Sequence, residues 1–300
     1  MNFLMYVVIL GIVEGITEFL PISSTGHMII VGKLLNTEGL SENFMNAFMI
    51  IIQLGSILSV VAYFFKDLNP FVRDKIVFKE KMTLWSKIIV GVIPAVILGV
   101  LFDDKIEELF FNNTNIIAIM LIVYGIFYLF SPKLEAKSTR VQSIRNVSYK
   151  DAFTVGLFQC LAMIPGTSRS GSTILGGLLI GLEKSVIAEF TFFLAIPTMF
   201  GATLLKLLKM GFSFTGIEWI MIFSGSVLAF FVSLFVIKWL MGYIKKKSFR
   251  IFGVYRIIFG IIVLIFFNVF KIIFQRRQTE YGNFVREPLN KEREKIIGEK

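Results

Sequence analysis

Glu14, Glu18, Ser23, Ser24, Thr25 and His27 set two carboxylates, three hydroxyls and the only imidazole of the chain within one short segment. Four positions apart, Glu14 and Glu18 share a face of a helix. Adjacent carboxylates repel unless one carries a proton or a cation lies between them. A hard divalent ion, Mg²⁺ or Ca²⁺, suits such oxygen ligands, and phosphate oxygens can complete its shell. The plainer alternative is a protonated pair that hydrogen-bonds neighbouring helices. A histidine with a pKa near neutrality can act as general acid or base, which makes His27 a candidate for that work. Paired with Ser23 or Ser24 it would activate a nucleophile; the plainer alternative is a histidine satisfied by a backbone carbonyl.

A second cluster runs from Pro165 to Thr173 and places Arg169 among Ser168, Ser170 and Thr173. A guanidinium stays charged at any working pH, and its planar fork matches phosphate oxygens. Gly166 and Gly171 let backbone approach a ligand closely, and the first N–H groups of the following helix favour an anion. Arg169 can also pair with Glu14 or Glu18, which does not exclude the anion role. The two clusters together point to a site for an anion, held with a divalent cation.

The elements that must position these groups are apolar. The 300 residues are 55% hydrophobic and only 17% charged, with 33 Phe, and the mean hydropathy is +0.76. That composition is an all-α polytopic membrane protein; a closed barrel would alternate polar and apolar residues, and these runs do not. Apolar runs at 44–65, 86–102, 114–130, 186–208, 217–241 and 251–274 predict six spanning helices, two of them carrying Pro94 and Pro197 as candidate kinks. Ionisable residues at such depth mark functional sites. Cys160 is the only cysteine, so neither an internal disulfide nor a Cys-based zinc site is possible. Met1-Asn2-Phe3 has no basic flank, and Glu14 and Glu18 interrupt the first apolar stretch, so no cleaved signal peptide is expected.

Residues 3–35 and 152–182 are apolar but broken by Pro, Gly, Ser and Thr, which predicts two re-entrant helical hairpins. They resemble each other: Gly11 and Gly156, Glu14 and Gln159, Ser23 and Ser168, Thr25 and Ser170, and Gly26 and Gly171 recur at a common offset of 145. The expected organisation is one membrane domain, 1–274, built of repeats at 1–130 and 151–274, with a polar charged tail at 275–300. Glu189 and Gln53 are further groups that can face the site. Basic loops carry Lys66, Arg73, Lys75, Lys79 and Lys81, then Lys133, Lys137, Arg140, Arg145 and Lys150, then Lys245 to Lys247 and Arg250. The positive-inside rule places them in the cytoplasm and both termini outside. The hairpins then enter from opposite faces, an inverted-repeat arrangement with the binding site near the midplane. The net charge of +10 fits cytoplasmic loops and anionic lipid, not nucleic acid, because the basic residues lie between spans.

Glu14-x-x-x-Glu18 followed by Pro21-x-Ser23-Ser24-Thr25-Gly26-His27, with Pro165-Gly166-x-Ser168-Arg169-Ser170-x-x-Thr173, resembles the two signatures of the bacterial undecaprenyl-pyrophosphate phosphatases of the bacitracin-resistance type. The likeness covers residues 1–272. It implies hydrolysis of undecaprenyl pyrophosphate to undecaprenyl phosphate and inorganic phosphate in the bacterial cell membrane. This recycles the lipid carrier for peptidoglycan and other wall polymers. It also implies divalent-cation dependence, a site opening to the outer face and interdigitated inverted repeats. Under it Glu14, Glu18, Ser24, His27 and Arg169 are catalytic. Glu14 and Glu18 hold the cation, and Ser23, Thr25, Ser168, Arg169, Ser170 and Thr173 bind substrate. The nucleophile is Ser24 or a water held by the cation, and a homodimer is compatible with all of this. A lipid phosphatase of the acid-phosphatase superfamily would need a second histidine, and Leu175 stands where it would fall. A carrier for a lipid phosphate is the reading from another class; it would use Arg169 but has less use for the carboxylate pair and His27.

Overall fold

The computed structural model describes residues 3–35, 40–106, 114–211 and 213–269. The expected tail at 275–300 and the acidic loop positions Glu107 and Glu108 lie outside the described residues. Among the described residues twelve α-helices follow one another: α1 (Phe3–Thr17), α2 (Ser24–Leu34), α3 (Glu42–Tyr63), α4 (Phe65–Leu68), α5 (Lys75–Ile106), α6 (Thr114–Leu129), α7 (Ser131–Lys137), α8 (Tyr149–Cys160), α9 (Arg169–Leu179), α10 (Lys184–Met210), α11 (Gly216–Lys246) and α12 (Arg250–Val269). Among the described residues there is no strand, only an isolated bridge between Val141 and Leu182. Among the described residues five helices are long and apolar enough to cross a bilayer, in α3, α5, α10, α11 and α12. α6 and α7, bent by 48° at their junction, make a sixth when the pair is counted as one broken span. The bend falls where Pro132 starts α7, whereas α5 and α10 run through Pro94 and Pro197.

Small residues line part of the buried face of α11. On α11, Gly225, Ala229 and Ser233 are buried while Phe223, Phe231 and Phe235 are exposed, as a lipid-facing helix requires. α1 packs on α11, and α8 packs on α5. In the second contact the backbones nearly touch: a Cβ on Gly156 would run into the Gly91 carbonyl oxygen. The largest apolar core is aromatic, with Phe19 edge-on to Phe192 at 5.3 Å and Phe64 edge-on to Phe193 at 5.1 Å.

The two short-helix pairs are hairpins, α1 against α2 and α8 against α9. Their open ends lie at opposite ends of the bundle. The basic loops meet at one end: Lys87 Nζ donates to the Arg145 carbonyl at 2.9 Å, Arg145 pairs with Glu80 at 3.2 Å, and Lys184 Nζ donates to the Lys247 carbonyl at 3.0 Å. The second hairpin is anchored there, through Ser138 Oγ to the Leu178 carbonyl at 2.8 Å and the Arg140–Asp151 ion pair. Burial works against the Asp151 charge, but Arg140 and the Ser148 N–H and hydroxyl outweigh it and hold this carboxyl below the usual aspartate range. The first hairpin ends at the other side, where Lys33 Nζ donates to Thr114 Oγ1 at 3.0 Å and lies 5.5 Å from the Phe267 ring centre.

Candidate active site

The two hairpins break for the same local reason. Pro21 and Pro165 cannot continue a helix, and the chain then turns through a serine with positive φ. Ser23 at φ 74° and Ser168 at φ 75° are, among the described residues, the non-glycine positions in that region. Each caps the next helix: Ser23 Oγ accepts from Gly26 N at 3.3 Å, and Ser168 Oγ accepts from Gly171 N at 3.1 Å. Strained, over-determined backbone of this kind clusters at functional sites. Ser23 and Ser168, and Gly26 and Gly171, are the pairs set against each other by the 145-residue offset.

The breaks meet at Glu18. Its Oε2 accepts from Ser24 Oγ at 2.6 Å, and its Oε1 accepts from Arg169 Nη2 at 2.7 Å. The side chains of Glu18 and Arg169 are 5% and 13% exposed, so this ion pair is largely removed from solvent. Arg169 also donates from Nη1 to the Thr191 carbonyl at 3.1 Å and from Nη2 to Met199 Sδ at 3.3 Å. One turn back on α1, Glu14 is fully buried and neither carboxyl oxygen has a hydrogen-bond partner among the described residues. Glu18, Ser56 and Arg169 act on it electrostatically, with the Ser56 hydroxyl outside hydrogen-bonding geometry. A buried carboxylate without a partner is costly unless it takes a proton or a cation.

His27 makes different contacts from those its neighbours in sequence suggest. Nδ1 lies 2.8 Å from the Ser23 carbonyl and Nε2 lies 2.7 Å from the Tyr255 hydroxyl. The imidazole therefore touches Ser23 only through main chain, and Ser24, the expected hydroxyl partner, is bonded to Glu18 instead. The physical reason is the break itself, which curls Glu18 back over the start of α2 while His27 faces α12.

Most of the other expected substrate ligands are occupied in holding the second break. Ser168 and Ser170 hydroxyls lie 3.2 Å apart, and Ser170 Oγ donates to the Leu20 carbonyl of the first hairpin at 3.2 Å. Thr173 Oγ1 donates to the Arg169 carbonyl at 3.0 Å and accepts from Thr191 Oγ1 at 2.9 Å. All three side chains are buried, as is Ser23, whereas Ser24, Thr25 and Arg169 are half-buried. Glu189 is not at the site. It lines a separate cavity of about 420 Å³ at the basic end, with Asp67, Lys79, Lys87 and Arg145. Gln159, the counterpart of Glu14, is bonded to Thr198 Oγ1 at 3.2 Å.

Arg256 and Tyr255 of α12 are the residues that motif reading missed. Arg256 is fully buried and spends its fork on carbonyls: Pro21 at 3.0 Å, Gly166 at 2.7 Å, Thr167 at 2.9 Å, and Leu121 and Met120 at 3.4 Å. It also lies 5.4 Å from the Tyr124 ring centre. One cation thus ties both hairpin breaks to α6. An arginine within an apolar run was the available signal.

A polytopic helical membrane protein whose two opposed hairpins join a carboxylate, a hydroxyl and an arginine at mid-bundle is the class defined by this fold and site. The family model for bacitracin resistance protein BacA matches residues 7–262, and the chain belongs to that family. It is 58% identical over 262 residues to the undecaprenyl-diphosphatase of Fusobacterium nucleatum subsp. nucleatum, covering 86% of this chain and 98% of that one. It is 55% identical over 262 residues to undecaprenyl-diphosphatase 1 of Clostridioides difficile, covering 87% and 94%. To the undecaprenyl-diphosphatase of Enterococcus faecalis it is 49% identical over 264 residues, covering 86% and 95%.

Proposed function

We propose that this protein is an undecaprenyl-diphosphatase, hydrolysing undecaprenyl pyrophosphate to undecaprenyl phosphate and inorganic phosphate. It thereby recycles the lipid carrier of wall synthesis and confers bacitracin resistance. The names of its relatives support the reaction. The observation that carries the chemistry is Glu18, held between the Ser24 hydroxyl and the Arg169 guanidinium across the two hairpins. A lipid-phosphate carrier would use Arg169 but has less use for the carboxylate pair and His27.

In this reading the pyrophosphate takes the Arg169 guanidinium from Glu18, whose freed carboxylate accepts the Ser24 proton. Ser24 Oγ attacks the terminal phosphorus, the bond from that phosphorus to the bridging oxygen breaks, and undecaprenyl phosphate leaves. Water then hydrolyses the phosphoserine, releasing inorganic phosphate and restoring the hydroxyl. Positioning and charge neutralisation supply most of the rate, as phosphoryl transfer requires. Glu18 is thus the base toward Ser24, and His27, which faces α12, is the second acid–base group of the site. The hard oxygen donors of Glu14 and Glu18, and the orphaned buried carboxylate of Glu14, fit a divalent cation, Mg²⁺ or Ca²⁺. Among the described residues no cluster of three or more metal-type side chains occurs, so phosphate oxygens would share the ion. When bound, it supplies further neutralisation of the pyrophosphate. The gathering of basic loops at the far end of the bundle supports a site opening to the outer face.

Rapid quenching during turnover, followed by mass spectrometry, tests the attacking group. A phosphoryl group on Ser24 that is absent from Ser24→Ala is expected. Sustained turnover by Ser24→Ala would overturn attack by Ser24 and assign it to water.

A further inference from the structure

α12 presents Tyr255 and Phe259, one turn apart, to the single histidine of the chain. The imidazole plane is nearly parallel to both rings: 10° and 4.1 Å between centres for Phe259, and 12° and 5.7 Å for Tyr255. A carbonyl can only accept, so the hydrogen on the neutral ring sits on Nδ1, directed at Ser23. Nε2 is then the acceptor, and the Tyr255 hydroxyl donates to it at 2.7 Å. His27 is 6% exposed and Tyr255 is 41% exposed. Its neighbour Arg256 bonds the carbonyls of both breaks, so Tyr255 stands at their depth, and its hydroxyl is the hydrogen-bond partner of Nε2 on the buried imidazole.

From this geometry we propose that Tyr255 is the positioning residue of His27. Its hydroxyl pairs Nε2 and stops rotation of a ring whose tautomer the Ser23 carbonyl sets. The proposal rests on the reading of His27 as an acid–base group. It adds a residue from the last span, outside both motif segments, to the apparatus of the reaction. Without the hydroxyl, Nε2 would be an unpaired acceptor in an apolar stack, and the ring would keep only its Nδ1 anchor.

Tyr255→Phe keeps the aromatic stack and removes only the hydroxyl, so the fold is retained. Two measurements on the full-length protein are made together: kcat and KM for phosphate release from undecaprenyl pyrophosphate, and the ring-nitrogen resonances of ¹⁵N-histidine-labelled protein after removal of any tag. With one histidine, the spectrum reports His27 alone. The expected result is a fall in kcat of about tenfold with KM within about twofold. The spectrum of the parent protein should show a single tautomer protonated at Nδ1, and that of Tyr255→Phe should show a displaced Nε2 resonance with the hydrogen still on Nδ1. Unchanged kcat, or unchanged ring-nitrogen resonances, would overturn the proposal. His27→Ala separates the two layers. Parent-like turnover in that variant would remove the acid–base reading, and Tyr255→Phe would then shift the resonances while leaving kcat unaltered.

Discussion

At the scale of single residues, the decisive contact is between Glu18 and two groups from different hairpins. Arg169 reaches Glu18, the Thr191 carbonyl and Met199 Sδ with one planar fork. A lysine carries the same charge but cannot span those partners or grip phosphate at two oxygens. Arg169→Lys is expected to lower kcat/KM by about 10²- to 10³-fold while remaining folded, as phosphate release and thermal unfolding would show. Activity close to that of the parent would mean that charge alone suffices there. The residues of this site were legible because Glu14, Glu18, His27 and Arg169 are costly in an apolar chain. The pairing was not legible. Whether Ser24 meets Glu18 or His27 depends on how the non-helical turn at 18–23 curls, and periodicity says nothing about such a turn. Tyr255 carried no signal because tyrosine is ordinary near a membrane interface. Arg256 stands within the apolar run at 251–274 and belongs to neither motif, so motif reading passed over it.

At the scale of elements, the six apolar runs and the two broken regions all correspond to observed helices, because run length and Pro or Ser interruptions are local properties. The bend between α6 and α7 went unread, since the run at 114–130 stops one residue before α7 begins. What holds the hairpins in place is backbone proximity. α8 lies so close to α5 that a methyl group on Gly156 would strike the Gly91 carbonyl oxygen. Gly156→Ala is therefore expected to destabilise the protein by about 1–3 kcal/mol, read as a lowered unfolding temperature in detergent. Gly201→Ala on α10 is the control, because nothing lies within 4 Å of its added carbon. Equal unfolding temperatures for the two variants would show that α8 can move away from α5 without cost.

At the scale of the whole molecule, the hairpins reach the middle of the bundle from opposite ends, and Arg256 ties both breaks to α6 through buried carbonyls. Such an arrangement places a charged, hydrogen-bonded site at mid-depth while the exposed helix faces stay apolar for lipid. A pyrophosphate head can then enter while a polyprenyl chain remains in the bilayer. The proposed cation dependence belongs to this scale, because the carboxyl oxygens of Glu14, deep in α1, have no hydrogen-bond partner among the described residues. The most direct measurement is inorganic phosphate release from undecaprenyl pyrophosphate by the purified protein with Mg²⁺, with Ca²⁺ and with EDTA, alongside Glu18→Gln. Release that requires the cation and falls at least about 10²-fold in Glu18→Gln is the expected result. Undiminished release by Glu18→Gln, or no release with any ion from folded, lipid-binding protein, would contradict a hydrolase built around Glu18.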